Sequence, residues 1–185
     1  GAGLIKKSGC DIRIHQGNYL EPAFYKAAGL PLSGAGKRTL FFAVESFLHS
    51  PEKTGLFERV REASLPGDLF IVCDDFLRTA PEKPRTKQFL KEFIEGWRVA
   101  NLQSTEEFCE NARSHSFSVV HQVDLTGMLE LNRFRDRMIR LTIPFLRLFR
   151  SRGAYSGNLT GGNALQQLLL RSILCYRCVT LRRLG

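Results

Sequence analysis

The chain has 185 residues, 43% of them hydrophobic, which is enough to bury a substantial core and too apolar for a disordered tail. Its formal net charge of +9 raises nucleic acid as a partner, but no aromatic RNA-binding signature accompanies the basic residues, so none is expected. No apolar run approaches the roughly 20 residues that span a bilayer, and no amino-terminal signal is present, which predicts no stable membrane insertion and a cytoplasmic location.

In chain order, the sequence predicts a helix remnant through Ser8, a strand from about Ile12 to Gln16 and a loop from Gly29 to Lys37. Two glycine stretches in this part fail as phosphate-binding motifs. Gly1-Ala2-Gly3 has no strand before it, and in Ser33-Gly34-Ala35-Gly36-Lys37-Arg38-Thr39 the first P-loop glycine is missing and Arg38 stands where Ser or Thr must follow the lysine. A strand then starts near Thr39, and its apolar run FFAV stops at Glu45. Ser50 is a natural N-cap, Pro51 fits the first helical position and Glu52 suits the positive end of the dipole, so a helix is predicted to start there, with Leu56, Phe57 and Val60 recurring at helical spacing. Pro66-Gly67-Asp68 turns the chain into LFIVC, residues 69 to 73, a run apolar enough to be buried on both faces. The unit reads as strand, helix, parallel strand. Its right-handed crossover brings the loop with Glu45, Ser46 and His49 and the loop with Asp74 and Asp75 to one rim of the sheet, where open α/β sheets bind ligands.

Beyond Phe76 the simple alternation stops. Pro81 and Pro84 delay a helix in which Phe89, Leu90, Phe93, Ile94 and Trp97 recur at helical spacing, and the length of this stretch predicts a lid over the rim. Ser104 or Thr105 caps the next helix, with Glu107 completing a capping box around Ser104. A strand follows from Phe117 to Val123, and Asp124 opens a second insert that Pro144 interrupts. In that insert Arg133, Arg135, Arg137 and Arg140 interleave with Phe134, Met138, Ile139 and Leu141, the pattern of an amphipathic helix. It reads as a cap helix with its basic side wet or as a site for an anionic substrate group, such as a carboxylate or diphosphate, which arginine pairs bidentately, ahead of contact with a membrane surface or RNA. Gly161-Gly162 precedes the last helix, and the run from Ile173 to Leu181 closes the sheet.

Five cysteines, Cys10, Cys73, Cys109, Cys175 and Cys178, are odd in number and scattered through apolar segments, as suits reduced and mostly buried thiols. Cys175 and Cys178 form a C-x-x-C pair without a second pair, inside a predicted strand where residues three apart face opposite sides, and the histidines lack ligand spacing. No metal site is expected.

Taken together, VESFLHSPE followed by LPGDLFIVCDDFL resembles the fourth and fifth strands of class I S-adenosylmethionine-dependent methyltransferases of the small-molecule type. The likeness extends to KKSGCDIRIHQGNYLE upstream as the approach to the third strand, and downstream to LQSTEEFCENARSHSFSVVHQVDLT, LNRFRDRMI and NLTGGNALQQLLLRSILCYRCVTLRR, similar to the later helix and sixth strand, the cap, and the closing helix and seventh strand. The resemblance implies a partial Rossmann-like α/β sheet, its third to seventh strands, in one incomplete domain over 1–185 with lid inserts at 76–104 and 125–160. The first strand, the glycine-rich loop and the acidic second strand of such enzymes are not in the sequence, which begins at Gly1 without a methionine and is read as a carboxy-terminal portion.

The same resemblance implies S-adenosylmethionine as cofactor, contacted by Gly17, Asn18, Glu45 and Ser46; Asn18 stands where the family commonly has Asp beside the adenine. Glu45 falls near methyl donor and acceptor, or bonds the end of the following helix. His49 suits a proton acceptor, since imidazole as a side-chain type changes charge near physiological pH, or fixes its loop by a hydrogen bond. Asp74 and Asp75 orient the acceptor or cap the following turn, and Arg133 and Arg137 bind an anionic group on it. The expected partner is an apolar or amphipathic small molecule, with a missing amino-terminal segment or a partner chain completing the sheet. The rivals to an enzyme are a non-catalytic remnant serving as a binding module and one half of a split methyltransferase.

Overall fold

The computed structural model describes residues 15–30, 38–52, 54–131, 133–148 and 154–185. The helix predicted before Ser8, residues 12–14 of the first predicted strand, and the stretches Gly1 to Gly3 and Ser33 to Lys37 lie outside the described residues; His15 and Gln16 belong to no strand. The elements run α1 (Pro22–Ala27), β1 (Leu40–Val44), a 3-10 turn (Phe47–His49), α2 (Gly55–Glu62), β2 (Leu69–Leu77), α3 (Pro84–Trp97), α4 (Thr105–Ser114), β3 (Phe117–Asp124), a second 3-10 turn (Thr126–Met128), α5 (Phe134–Leu148), α6 (Ala154–Leu170) and β4 (Leu174–Arg183). Among the described residues no helix is long and apolar enough to cross a membrane.

The sheet has the order β1-β2-β4-β3, with β1 and β2 parallel and the other pairs antiparallel. On one face, Phe70, Val72 and Phe76 of β2 and Cys175, Val179 and Leu181 of β4 are buried against Leu56, Phe57 and Val60 of α2 and Phe108 and Ala112 of α4. Four phenylalanines, Phe47, Phe57, Phe76 and Phe108, meet there with ring centroids 5.1 to 6.0 Å apart, within the range where aromatic pairs add to simple burial. A second cluster lies where α3 packs along α6: Phe89, Phe93, Ala164 and Leu168, with Leu48 and Leu174 beneath them.

The capping box holds as predicted: Ser104 accepts from the Glu107 N–H and the Glu107 carboxylate accepts from the Ser104 N–H. Three boundaries differ from the prediction. The helix expected at Ser50 begins at Gly55, because Phe47–His49 first closes a 3-10 turn that receives the Ser50 N–H, and the Ser50 hydroxyl bonds the Glu52 carbonyl instead of a helix amide. β2 runs on through Asp74 and Asp75, so these carboxylates stand on the strand and not in a loop beyond it. Gly161 and Gly162 are inside α6 instead of preceding it, and Pro144 is inside α5 instead of interrupting the insert.

The glycines of α6 have a packing reason to be helical. A Cβ added at Gly96 of α3 would overlap the Gly157 carbonyl oxygen and lie 2.9 Å from the Gly161 Cα, all of it backbone that must move. At Gly157 an added Cβ would meet only the Gly96 Cα at 3.9 Å, an ordinary contact. Overpacking costs about 1–3 kcal/mol, whereas alanine in place of a helical glycine gains up to about 1 kcal/mol. Gly96→Ala is therefore expected to lower the urea midpoint and Gly157→Ala to raise it. Midpoints shifted in the same direction by both would contradict the close approach of the two helices.

Candidate functional site

β1 ends at Val44, and Glu45 follows in the left-handed region, φ 49°, which a residue with a side chain adopts only when its surroundings hold it there. What holds it is the ladder, since the Glu45 N–H donates to the Cys73 carbonyl at 2.9 Å. The chain then turns sharply into Phe47 and Leu48, both buried, and the Asp74 carboxylate receives that turn. Its oxygens accept from the Leu48 N–H at 3.1 Å and the Asp75 N–H at 3.0 Å. Burial raises the Asp74 pKa, and those amide bonds and the nearby His49 oppose the rise. Asp74 is thus a turn-holding carboxylate whose oxygens are engaged.

Asp75 has the opposite condition. It is 5% exposed, and its Oδ1 has no hydrogen-bond partner. Burial, then the charges of Asp74 and Glu45, push its pKa up to about 7. Tyr176 of β4 is its cross-strand partner, and burial, then Glu45, pushes that phenol up to about 12, so it stays a neutral hydrogen-bond donor at ordinary pH.

Glu45, Asp75 and Tyr176 line a cavity of about 730 Å³ bordered by α5, by Trp97 at the end of α3 and by Asn163 of α6, with Arg133 just before α5. Asn163 is likewise buried, with an unpartnered side-chain oxygen. Asp136, 5% exposed, bonds the Arg133 N–H at 3.1 Å and so fixes the start of α5 over the cavity. Leu129, Leu131 and Leu165 supply apolar wall.

Of the site residues predicted from sequence, Glu45, Asp75 and Arg133 line this cavity. His49 is exposed with its Nδ1 3.5 Å from the Arg98 carbonyl oxygen, and Arg137 is exposed on α5; neither lines the cavity, nor does Asp74. Gly17 and Asn18 lie before α1, tied to the end of β1 through the Tyr19 hydroxyl, which donates to the Ser46 carbonyl at 3.2 Å. The Asn18 side chain is engaged locally, with the Leu20 N–H and with Glu21. Tyr176 and Asn163 carry no sequence signal for this cavity, and Trp97 is expected only within the lid helix, because cross-strand register and helix docking bring them in. Among the described residues no group of three or more His, Cys, Asp or Glu could hold a metal ion.

No family model matches the chain, and no curated protein matches it. Solved structures do. A protein of Galdieria sulphuraria assigned as a sarcosine dimethylglycine methyltransferase matches 99% of this chain at TM-score 0.61 and 14% identity. Phosphoethanolamine N-methyltransferase 2 of Haemonchus contortus, in complex with S-adenosyl-L-methionine, matches 79% at TM-score 0.54 and 14% identity. Geranyl diphosphate C-methyltransferase of Streptomyces coelicolor, holding Mg2+, geranyl diphosphate and S-adenosyl-L-homocysteine, matches 79% at TM-score 0.52 and 13% identity. This chain spans 62%, 33% and 47% of those proteins. At such identities the likeness is one of fold, and the fold is that of class I S-adenosylmethionine-dependent methyltransferases, present in part.

The Asp75 environment has a thermodynamic consequence. The folded chain keeps the Asp75 proton up to about pH 7, whereas an unfolded aspartate loses it near pH 4. Between those values the native state binds more protons than the unfolded state, so stability falls as pH rises through the window and levels off above it. Urea melts at pH 5 and pH 8 are expected to show the chain less stable at pH 8, with the difference reduced in Asp75→Asn. Asp74 acts in the same direction and is present in both proteins, so the comparison isolates Asp75. An unchanged difference would contradict the buried, unpartnered carboxylate.

Proposed function

We propose that this chain, with its partial class I methyltransferase fold, is the acceptor-binding portion of an enzyme that transfers a methyl group from S-adenosylmethionine to a small organic acceptor. The observation that carries this reading is Asp75: a buried carboxyl with a free oxygen, sharing a cavity with Glu45 at the edge where two parallel strands end. Ligands of open α/β sheets bind at that edge.

S-adenosylmethionine, when bound, supplies an electrophilic methyl group on a sulfonium. The residues present fit part of its site: Glu45 and Ser46 at the end of β1, with Gly17 and Asn18 tethered beside them through Tyr19. The glycine-rich loop is supplied by a preceding segment or by a separate chain. Exposed Leu40, Phe42 and Val44 on β1 support that completion, since an apolar strand face and an edge without a described neighbour call for covering by further structure.

In this reading the ionised form of Asp75 accepts at Oδ1 the proton of the acceptor's amine or hydroxyl, and a pKa of about 7 suits it to that transfer at neutral pH. Tyr176 donates a hydrogen bond that orients the acceptor, and Arg133 gives an anionic group on it a bidentate partner. Glu45 contributes negative charge that favours a cationic group in the cavity. The inserts 76–104 and 125–160 enclose the acceptor, and their apolar side chains exclude water. Asp75 is preferred to His49 as proton acceptor because His49 does not line the cavity.

Calorimetric titration of the isolated 185-residue chain with S-adenosylmethionine is expected to show no micromolar affinity; such affinity in a monomeric preparation would contradict the need for a completing segment. In the completed protein, Asp75→Asn is expected to lower turnover on the order of 100-fold with cofactor affinity unchanged, and His49→Ala to leave the pH dependence of turnover unaltered. A completed protein that binds the cofactor and methylates no amine, hydroxyl or isoprenoid acceptor would favour the binding module.

A further inference from the structure

The roof helix α5 turns two faces in opposite directions. Ile143 and Asp136 are buried toward α6 and the cavity. Phe134, Met138 and Leu141, spaced by four and three residues and so on one stripe, are 79%, 47% and 67% exposed. The predicted wet basic side of this helix is in fact an apolar stripe with arginine margins: at 3.6 residues per turn Arg137 lies along one border and Arg135 along the other, both exposed. An outward row of Phe, Met and Leu is the kind of exposed apolar surface that marks an interaction site.

We propose that the outward face of α5 is a docking surface for an anionic lipid bilayer. A helix with an apolar stripe and arginine borders lies in the plane of a membrane interface, its stripe among the upper acyl chains and its guanidinium groups at the phosphates. Charge complementarity selects this occupant over a second copy of the chain. A two-fold interface through this stripe would set the arginine borders of one copy against those of the other, and the buried Asp136, 3.7 Å from the Arg135 Nε, offsets part of one border and none of the Arg137 border. Nucleic acid fits less well, since its phosphates would meet the arginines and leave the apolar stripe in water. No helix among the described residues is long and apolar enough to cross a membrane, so the association is peripheral and reversible. The inference stands apart from the transferase reading, though a roof resting on a bilayer would open the cavity to amphipathic molecules from the lipid.

Flotation with vesicles tests it, because bound protein rises while aggregated protein sinks. Vesicles of phosphatidylcholine with about one third phosphatidylserine are expected to carry the chain at least fivefold better than phosphatidylcholine alone, from Arg137 at roughly fivefold and a smaller gain from Arg135, which Asp136 partly offsets. Raising the salt concentration is expected to reduce the gain. Phe134→Ser/Leu141→Ser is expected to cut flotation at least tenfold, with Met138→Ser as a second variant should the double one lose its helical circular dichroism. Phe42→Ser removes a side chain 71% exposed on β1 and is expected to leave flotation unchanged. Equal flotation on both vesicle types, flotation unaffected by the α5 variants, or flotation lost in Phe42→Ser would overturn the proposal. So would a dimer in sedimentation that the α5 variants disperse.

Discussion

The parallel ladder between β1 and β2 decides where every other group in the cavity stands. Phe42 pairs with Ile71 and Val44 with Cys73, and the next rung fixes the Glu45 amide to the Cys73 carbonyl. That bond brings a left-handed Glu45 level with the Asp74–Asp75 pair, and the turn after it is tied back to β2 through the Asp74 carboxylate. β4 then pairs antiparallel with the other side of β2, which sets Tyr176 opposite Asp75. A strand slipped by one residue would exchange the two aspartates between the faces of the sheet.

Adjacent aspartates on one strand show how environment divides a single chemistry into two uses. Side chains of neighbouring strand residues point to opposite faces. Asp74 points toward the 3-10 turn, where backbone amides satisfy it; Asp75 points toward the cavity, where nothing described meets its Oδ1. The first supports the loop, and the second is left with the raised proton affinity that the proposed acceptor role requires. A buried carboxyl with an unpartnered oxygen is costly, which is itself a reason to connect it with a ligand.

Much of this was legible in the residues. FFAV and LFIVC are apolar enough, and the distance between them right, for two parallel strands with a helix between; Ser104 with Glu107 marks one helix start, and the spacing of Phe89, Leu90, Phe93, Ile94 and Trp97 marks another helix, which begins at Pro84. Local signals failed where tertiary contacts outweighed them. Ser50-Pro51-Glu52 is a good helix start by itself, but the Leu48 amide bonds Asp74 from another strand and shapes that turn first. Gly161-Gly162 reads as a break until Gly96 and Trp97 are seen packed against Gly161, which needs its lack of a side chain within the helix. Tyr176 could not be joined to Asp75 without the β2–β4 register, a pairing across about a hundred residues of sequence that periodicity does not encode.

Asp75 and Glu45 face one cavity closely enough for the Glu45 charge to act on Asp75. Carbon-13 NMR of the Asp75 carboxyl, followed across pH in the chain and in Glu45→Gln, measures this directly. The account gives a midpoint of about 7 that moves down when the Glu45 charge is removed. A midpoint in the ordinary range near 4, or one that Glu45→Gln leaves where it was, would contradict it.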